Sequence, residues 1–243
     1  MRILGIECTA SPVSCAVFED GRIKAEYFLN LKTTHSQTLL PMVESVLKLS
    51  GIGIGDIDVI AATAGPGSFT GVRIGISAVK GLAFAQNTPC VPISTLEAMA
   101  YGLTGCDGIV CACMDARCNQ VYNAIFEVKD GVVSRFCLDR ALMIEELYAE
   151  LEKIYEKNRE KTVFIVGDGA DLFYNSIKDR DVPVCLAPEH LKWQRASGVC
   201  MAALSKAQNG ETVCPEELLP VYLRLPQAER ELKAKQSLSN ERK

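Results

Sequence analysis

Residues 2–29, RILGIECTASPVSCAVFEDGRIKAEYFL, decide how this chain folds. Ile3-Leu4-Gly5-Ile6 is an apolar run of the kind that makes a buried strand, and Cys8-Thr9-Ala10-Ser11-Pro12 is a small, polar turn. Residues 13–18 read as a second strand, Glu19-Asp20-Gly21-Arg22 as a hairpin turn, and 23–29 as a third strand. Three strands in succession therefore open the chain. Thr34-His35-Ser36-Gln37 then reads as a capping box. Leu39, Leu40, Val43, Val46 and Leu47 supply the apolar stripe of the helix it starts, and Gly51 stops that helix. Pro41 sits early in it and predicts a kink or a later start.

Working outward, a strand is expected over 58–63, a loop over 65–71, a helix over 72–86, a short edge-like strand over 90–93 and a helix over 96–103. The second half restarts the same way, with strands over 109–114, 121–126 and 132–138 and a hairpin at Lys129-Asp130-Gly131. A helix over 144–157, a strand over 163–166, the turn Gly167-Asp168-Gly169 into another helix, and an amphipathic helix over 195–207 follow. The order β-β-β-α-β-α, met twice, predicts a duplicated α/β layout and not a simple doubly wound sheet. The boundary is expected near Gly102–Gly105, giving domains 1–105 and 106–226. Residues 227–243 carry few apolar side chains and read as a flexible tail.

Composition agrees. At about 150 residues per domain, 243 residues make between one and two domains, enough to fold without metal or disulfide staples. The 48% hydrophobic share is too high for a disordered chain. The best candidate for a membrane span, residues 74–85, falls short of the ~20 residues needed and is broken by Lys80. A net charge of -4 argues against a protein that grips nucleic acid unaided, because phosphate binding relies on surplus Lys and Arg. Eleven cysteines fall short of the ~8–10% of a disulfide scaffold, contain no C-x-x-C pair and lie mostly in apolar runs. They read as reduced thiols of a cytoplasmic protein, with Cys111 and Cys113 pointing to one face of a strand. The first apolar run meets Glu7 at once, which reads as a strand and not a signal peptide.

Several motifs carry two readings. Glu7, Thr9 and Ser11 in the first turn could hold a phosphate and its metal-bound water. The turn lacks the glycine that lets backbone approach phosphate, so an ordinary turn is the plainer reading. The loop Gly65-Pro66-Gly67-Ser68-Phe69-Thr70-Gly71 leads from a strand into a helix, but it lacks the Gly-Lys-Ser/Thr ending of a P-loop. In that helix Gly71, Gly75, Ala78, Gly81 and Ala85 make one face of very small residues, suited to close packing within the chain or against a partner. Arg73 and Lys80 lie on another face as solvated charge. Gly167 and Gly169 flank a plain strand-to-helix turn or one that touches a nucleoside. His35 and His190 have no third ligand between them, and His35 reads as a helix-start residue.

Taken in order, Arg2-Ile3-Leu4-Gly5-Ile6-Glu7, His35-Ser36-Gln37 with Leu39-Leu40-Pro41, and Gly65-Pro66-Gly67-Ser68-Phe69-Thr70-Gly71-Val72-Arg73-Ile74-Gly75 resemble the TsaB (YeaZ) family. Ala78-Val79-Lys80-Gly81-Leu82-Ala83, Ser94-Thr95-Leu96-Glu97, Met114-Asp115-Ala116-Arg117 with Val121-Tyr122, and Pro220-Val221-Tyr222-Leu223-Arg224 complete the match, which spans nearly the whole chain. The resemblance implies an actin-like ATPase (ASKHA, ribonuclease H-like) fold and a paralogue relation to TsaD. That enzyme transfers a threonylcarbamoyl group to the adenosine 3′ of the anticodon in tRNA. Where TsaD carries His-x-x-x-His, this chain has Thr95 and Met99, neither a usual ligand for a hard or borderline metal.

The resemblance therefore implies a non-catalytic subunit, with no catalytic and no metal-ligating residues, that pairs with TsaD and is joined by TsaE. Leu39, Val43, Gly71, Arg73, Gly75, Ala78, Lys80 and Leu82 are its expected partner-binding residues. A homodimer through the same helices is the expected alternative without TsaD, and tRNA is reached through the complex. No cofactor is expected on the chain alone, and ATP or ADP is expected only at the complex interface, with Glu7, Thr9, Ser11, Gly167 and Gly169 as the nucleotide contacts. The competing class is an active nucleotide-binding enzyme of the actin-like fold, a kinase or ATPase. A peptidase is not expected, because the sequence shows neither the paired histidines nor a Ser-His-Asp or Cys-His set.

Overall fold

The computed structural model describes residues 1–31 and 34–224, so the tail expected to be flexible, 227–243, lies outside the described residues. The opening stretch forms β1 (Arg2–Glu7), β2 (Val13–Glu19) and β3 (Arg22–Leu29), joined antiparallel. Helix α1 (His35–Ser50) starts at the expected histidine and runs through Pro41. The expected capping box does not form: Thr34 caps with its carbonyl, which accepts the Gln37 amide at 2.9 Å. Strand β4 (Val59–Gly65) joins β1 in parallel, helix α2 (Phe69–Phe84) follows, and β5 (Cys90–Ser94) completes a sheet of order β3-β2-β1-β4-β5. Ser68 caps α2 by accepting the Gly71 amide at 3.2 Å.

After helix α3 (Thr95–Tyr101) the pattern repeats with β6 (Gly108–Arg117), β7 (Gln120–Lys129) and β8 (Val132–Arg135). The single strand expected over 132–138 is broken. β8 pairs with the far half of β7, the chain bends out, and β9 (Arg140–Met143) pairs with the near half. Asp139 holds the bend, accepting from Arg135 at 2.7 Å and from the Ser94 hydroxyl. Helix α4 (Ile144–Glu156), strand β10 (Val163–Val166), helix α5 (Ala170–Ile177) and strand β11 (Val184–Leu186) follow. The second sheet has order β11-β10-β6-β7-β8, the same arrangement as the first with one strand split in two. A short helix α6 (Glu189–Lys192) leads to α7 (Ala196–Gln208).

The two sheets lie on either side of the expected boundary, but the helices cross it. Helices α1 and α2 cover one face of the first sheet, burying Leu39, Val43, Val46, Val72, Ile76 and Val79 against Leu4, Ile6 and Val17. Its other face, with Ile3, Phe18, Ala61 and Val91, is covered by Val199, Cys200 and Ala203 of α7, at the far end of the chain. Reciprocally, Leu96, Met99 and Ala100 of α3 pack on Val110, Ala112 and Phe126 of the second sheet. The two exchanged helices meet in the middle at Gly198, where any side chain would overlap the Ala98 carbonyl oxygen. The first sheet also caps its borrowed helix. The Ala196 amide donates to Ser14 Oγ at 3.1 Å and the Ser197 amide to Glu26 Oε1 at 2.9 Å. That satisfies donors which the helix itself leaves open.

On the second sheet's outer face Cys111 and Cys113 point the same way, as expected, with their sulfurs 3.7 Å apart beneath α4 and α5. The eleven cysteines are free thiols, six of them buried. Among the described residues no helix is long and apolar enough to cross a membrane.

Candidate functional site: an interdomain cleft and a helix groove

Two concave features share a wall. The first is a cleft between the two sheets, of about 550 Å³, reached by the β1–β2 turn, the loop before α2, the β6–β7 hairpin and the segment 221–224. Beneath it, Glu7 ends β1 with no exposed surface. Its Oε1 accepts both the Thr9 amide and the Thr9 hydroxyl at 2.5 Å, while Oε2 has no partner among the described residues. Burial disfavours the charged form and raises its pKa to about 7, against the opposing pull of the Thr9 hydrogen bonds; the like charge of Asp168 adds to the rise. Asp168 is raised to about 6, again chiefly by burial, although the Gln194 side-chain amide donates to it at 2.8 Å.

Of the expected nucleotide contacts, Thr9 and Ser11 line this cleft, whereas Glu7, Gly167 and Gly169 do not; Asp168, between those two glycines, does. The donors do not fit a nucleotide. Thr9 is committed to Glu7, the Gly167 amide donates to the Lys192 carbonyl at 2.8 Å, and the Gly169 amide to the Cys113 carbonyl at 3.1 Å. Ser68 donates its amide to the Thr9 carbonyl at 2.7 Å, so the two loops that would cradle a phosphate bind each other. Buried acids at the floor oppose an anion further. The glycines at 167 and 169 serve packing: a methyl group at 169 would stand 2.8 Å from the Asp115 amide nitrogen.

The second feature is a groove between α1 and α2, of about 560 Å³, lined by Leu39, Leu40, Phe69, Arg73, Ile74 and Ala78 with Ser36, Thr70 and Ser77 at its edges. The α1 stripe divides here. Leu39, Val43, Val46 and Leu47 go into the core, while Leu40 stays half exposed on the groove.

The expected partner-binding set is accordingly corrected. Gly71 and Gly75 do not face outward. They face the β1–β2 turn, where a side chain at Gly71 would overlap the Cys8 carbonyl oxygen and one at Gly75 would meet Cys8 Cβ at 3.3 Å. The small-residue face is split between core and surface because the turn after β1 takes up its first half. Val43 is core, Leu82 packs half-buried on the same core, and Lys80 donates to the Glu216 carbonyl at 3.0 Å. Leu39, though it borders the groove, is 1% exposed. Arg73 and Ala78 line the groove. Leu40, Phe69 and Ile74 also line the groove and are absent from the expected set.

Thr95 and Met99 both lie in the interior. The Thr95 hydroxyl has no partner among the described residues, and Met99 packs in the second sheet's inner core. Among the described residues no cluster of three or more His, Cys, Asp or Glu side chains could hold a metal.

A family model described as TsaD, tRNA N6-adenosine threonylcarbamoyltransferase, matches residues 25–232. The tRNA threonylcarbamoyladenosine biosynthesis protein TsaB of Bacillus subtilis is 32% identical over 94% of this chain and 96% of its own length. Its Escherichia coli counterpart is 33% identical over 92% and 95%. The chain belongs to the TsaB (YeaZ) family. YeaZ from Pseudomonas aeruginosa superposes with a TM-score of 0.75 at 27% identity, covering 91% of this chain and 99% of that one. The duplicated sheets are thus the actin-like fold in its TsaB form. A tRNA N6-adenosine threonylcarbamoyltransferase of Chlorobium limicola is 34% identical over only 42% of this chain and 33% of its own length.

Proposed function

We propose that this TsaB-family chain is a non-catalytic subunit in the making of threonylcarbamoyladenosine in tRNA. It docks TsaD through the α1–α2 groove, and TsaE joins the pair. The observation that carries this reading is the groove itself, where Leu40 is left 50% exposed beside the partly buried Ile74 and Ala78 of the facing helix. An apolar groove open between two helices, with a cation at its rim, suits a docking partner. Arg73 at the rim supplies a cation for a facing carboxylate. Phosphate donors turned inward at the cleft, and Thr95 and Met99 in place of two imidazoles, fit a chain that supports chemistry done elsewhere. Bound tRNA is then held by the complex, in keeping with the net charge of -4. A second copy of the chain occupies the same groove when TsaD is absent.

Leu40→Arg tests the docking. It places a charge in the groove without touching the core, and should weaken binding to purified TsaD by about 100-fold in calorimetry while leaving the melting temperature unchanged. Wild-type affinity in this variant would remove the groove from the interface. ATP turnover by the isolated chain would remove the non-catalytic reading.

A further inference from the structure

The last described segment does more than end the fold. From the edge of β5, where Cys90 and Val213 exchange both backbone hydrogen bonds, it runs along the first half. It buries Leu218 in the first core, and the Val221 amide donates to the Ala64 carbonyl at 2.7 Å. It then crosses to the second half, where Arg224 Nη1 donates to the Ala116 carbonyl in the β6–β7 hairpin at 2.5 Å. Between these two anchors stands Tyr222. Its ring stacks on Phe69 with centroids 4.8 Å apart and planes at 27°. Its hydroxyl accepts from Arg73 Nε at 2.8 Å, and the Arg73 guanidinium lies over the Phe69 ring, 3.9 Å from its centroid.

Phe69 borders both the cleft and the groove, and Arg73 borders the groove. Tyr222 borders only the cleft side of that wall. Phe69 is the first residue of α2 and Arg73 stands one turn further on, a long side chain whose rotamer freedom must be lost when a partner fixes it. A ring stacked on one and bonded to the other removes that freedom before any partner arrives. Preorganisation of this kind lowers the cost of binding.

We propose that Tyr222 is a positioning residue for the docking groove: the 213–224 strap holds Phe69 and Arg73 in the arrangement the partner meets. Because the strap is tied at Ala64 in one half and at Ala116 in the other, the wall of the groove is set by the placement of both halves and not by α2 alone. This inference rests on the docking reading above and adds how that site is controlled.

The test compares Tyr222→Ala, Tyr222→Phe and Leu40→Arg for binding to purified TsaD in calorimetry, with melting temperatures measured alongside. Tyr222→Ala should weaken binding about ten-fold, through a residue that does not line the groove. Tyr222→Phe, which keeps the stack and loses only the hydroxyl, should recover affinity to within about three-fold of wild type. Both should melt close to wild type, since Tyr222 is already 38% exposed. Wild-type affinity in Tyr222→Ala, with Leu40→Arg disabled, would overturn the proposal and leave the docking reading standing. A loss in Tyr222→Ala that Tyr222→Phe does not recover, accompanied by a matching fall in melting temperature, would overturn it as well. Full affinity in Leu40→Arg would remove the docking reading and this inference together.

Discussion

Helices α1 and α2 cover the outer face of the first sheet as α4 and α5 cover that of the second, yet the two seams present opposite surfaces. Between α1 and α2 the seam is open, with Leu40 and Ile74 facing an apolar groove rimmed by one arginine. Between α4 and α5 the seam is closed. Arg180, just past α5, reaches back to Glu145 with two hydrogen bonds of 2.7 Å and lays its guanidinium over the Tyr148 ring, 4.6 Å from the centroid. Ile144, Leu147 and Leu151 are buried beneath. The same fold element, used twice, leaves an open apolar groove in one place and a seam covered by an ion pair in the other. A few side chains on the outer ridge decide which, and backbone topology does not.

The largest effect should come from the buried side of α2, where it meets the β1–β2 turn. Gly71→Leu forces a side chain into the Cys8 carbonyl, and should cost about 3 kcal/mol or prevent folding, seen in denaturant unfolding. An interface glycine would instead spoil binding alone, so a stable Gly71→Leu variant with lost affinity would restore the outward-facing reading. Next comes Leu40→Arg, with binding lost and stability kept.

The strand ends offer a third contrast. β1 ends on the fully buried Glu7, whereas Asp115 near the end of β6 is partly exposed and meets Arg117 at 3.3 Å. The folded chain holds the Glu7 proton up to about pH 7, against 4.5 for an ordinary glutamate, and so binds that proton more tightly than the unfolded chain does. This contribution to stability is complete below pH 4.5 and is lost as pH rises through 7. Glu7→Gln should flatten that dependence and raise stability at pH 8 by about 2 kcal/mol, read from unfolding midpoints across pH. The smallest effect belongs to the closed seam. Arg180→Ala uncovers Tyr148 but should change neither TsaD affinity nor, by more than a degree or two, the melting temperature.

Much of this was legible in the sequence where a local pattern settles the matter. The run at 163–166 is a short apolar strand bounded by polar residues and glycine, and β10 occupies it residue for residue. The opening three strands and the start of α1 at His35 follow from runs and turns in the same way. Spacing alone did not orient the glycine face of α2. Residues at intervals of three and four share a side of a helix, but only the β1–β2 turn, close in space, decides that Gly71 and Gly75 point inward. The three-residue β11 is too short to show a period. The sequence offers Glu7 as a phosphate-side acid or as part of an ordinary turn, and nothing local announces that it is buried with two loops closed above it. The cover that α7 gives the first sheet depends on contacts such as Cys200 against Ile3, 197 positions apart, which no window of sequence contains.

That cover has a consequence for how the chain is made. Residues leave the ribosome in order, and the first sheet is complete once β5 has emerged. Its inner face, with Ile3, Phe18, Ala61 and Val91, must wait for residues 196–208 to be synthesised before it is covered. At about 5–20 residues per second that is an interval of roughly 5 to 20 seconds during which a greasy, unroofed sheet sits on a nascent chain. The protein therefore acquires its first half last, and the step most exposed to misassembly is the arrival of its seventh helix.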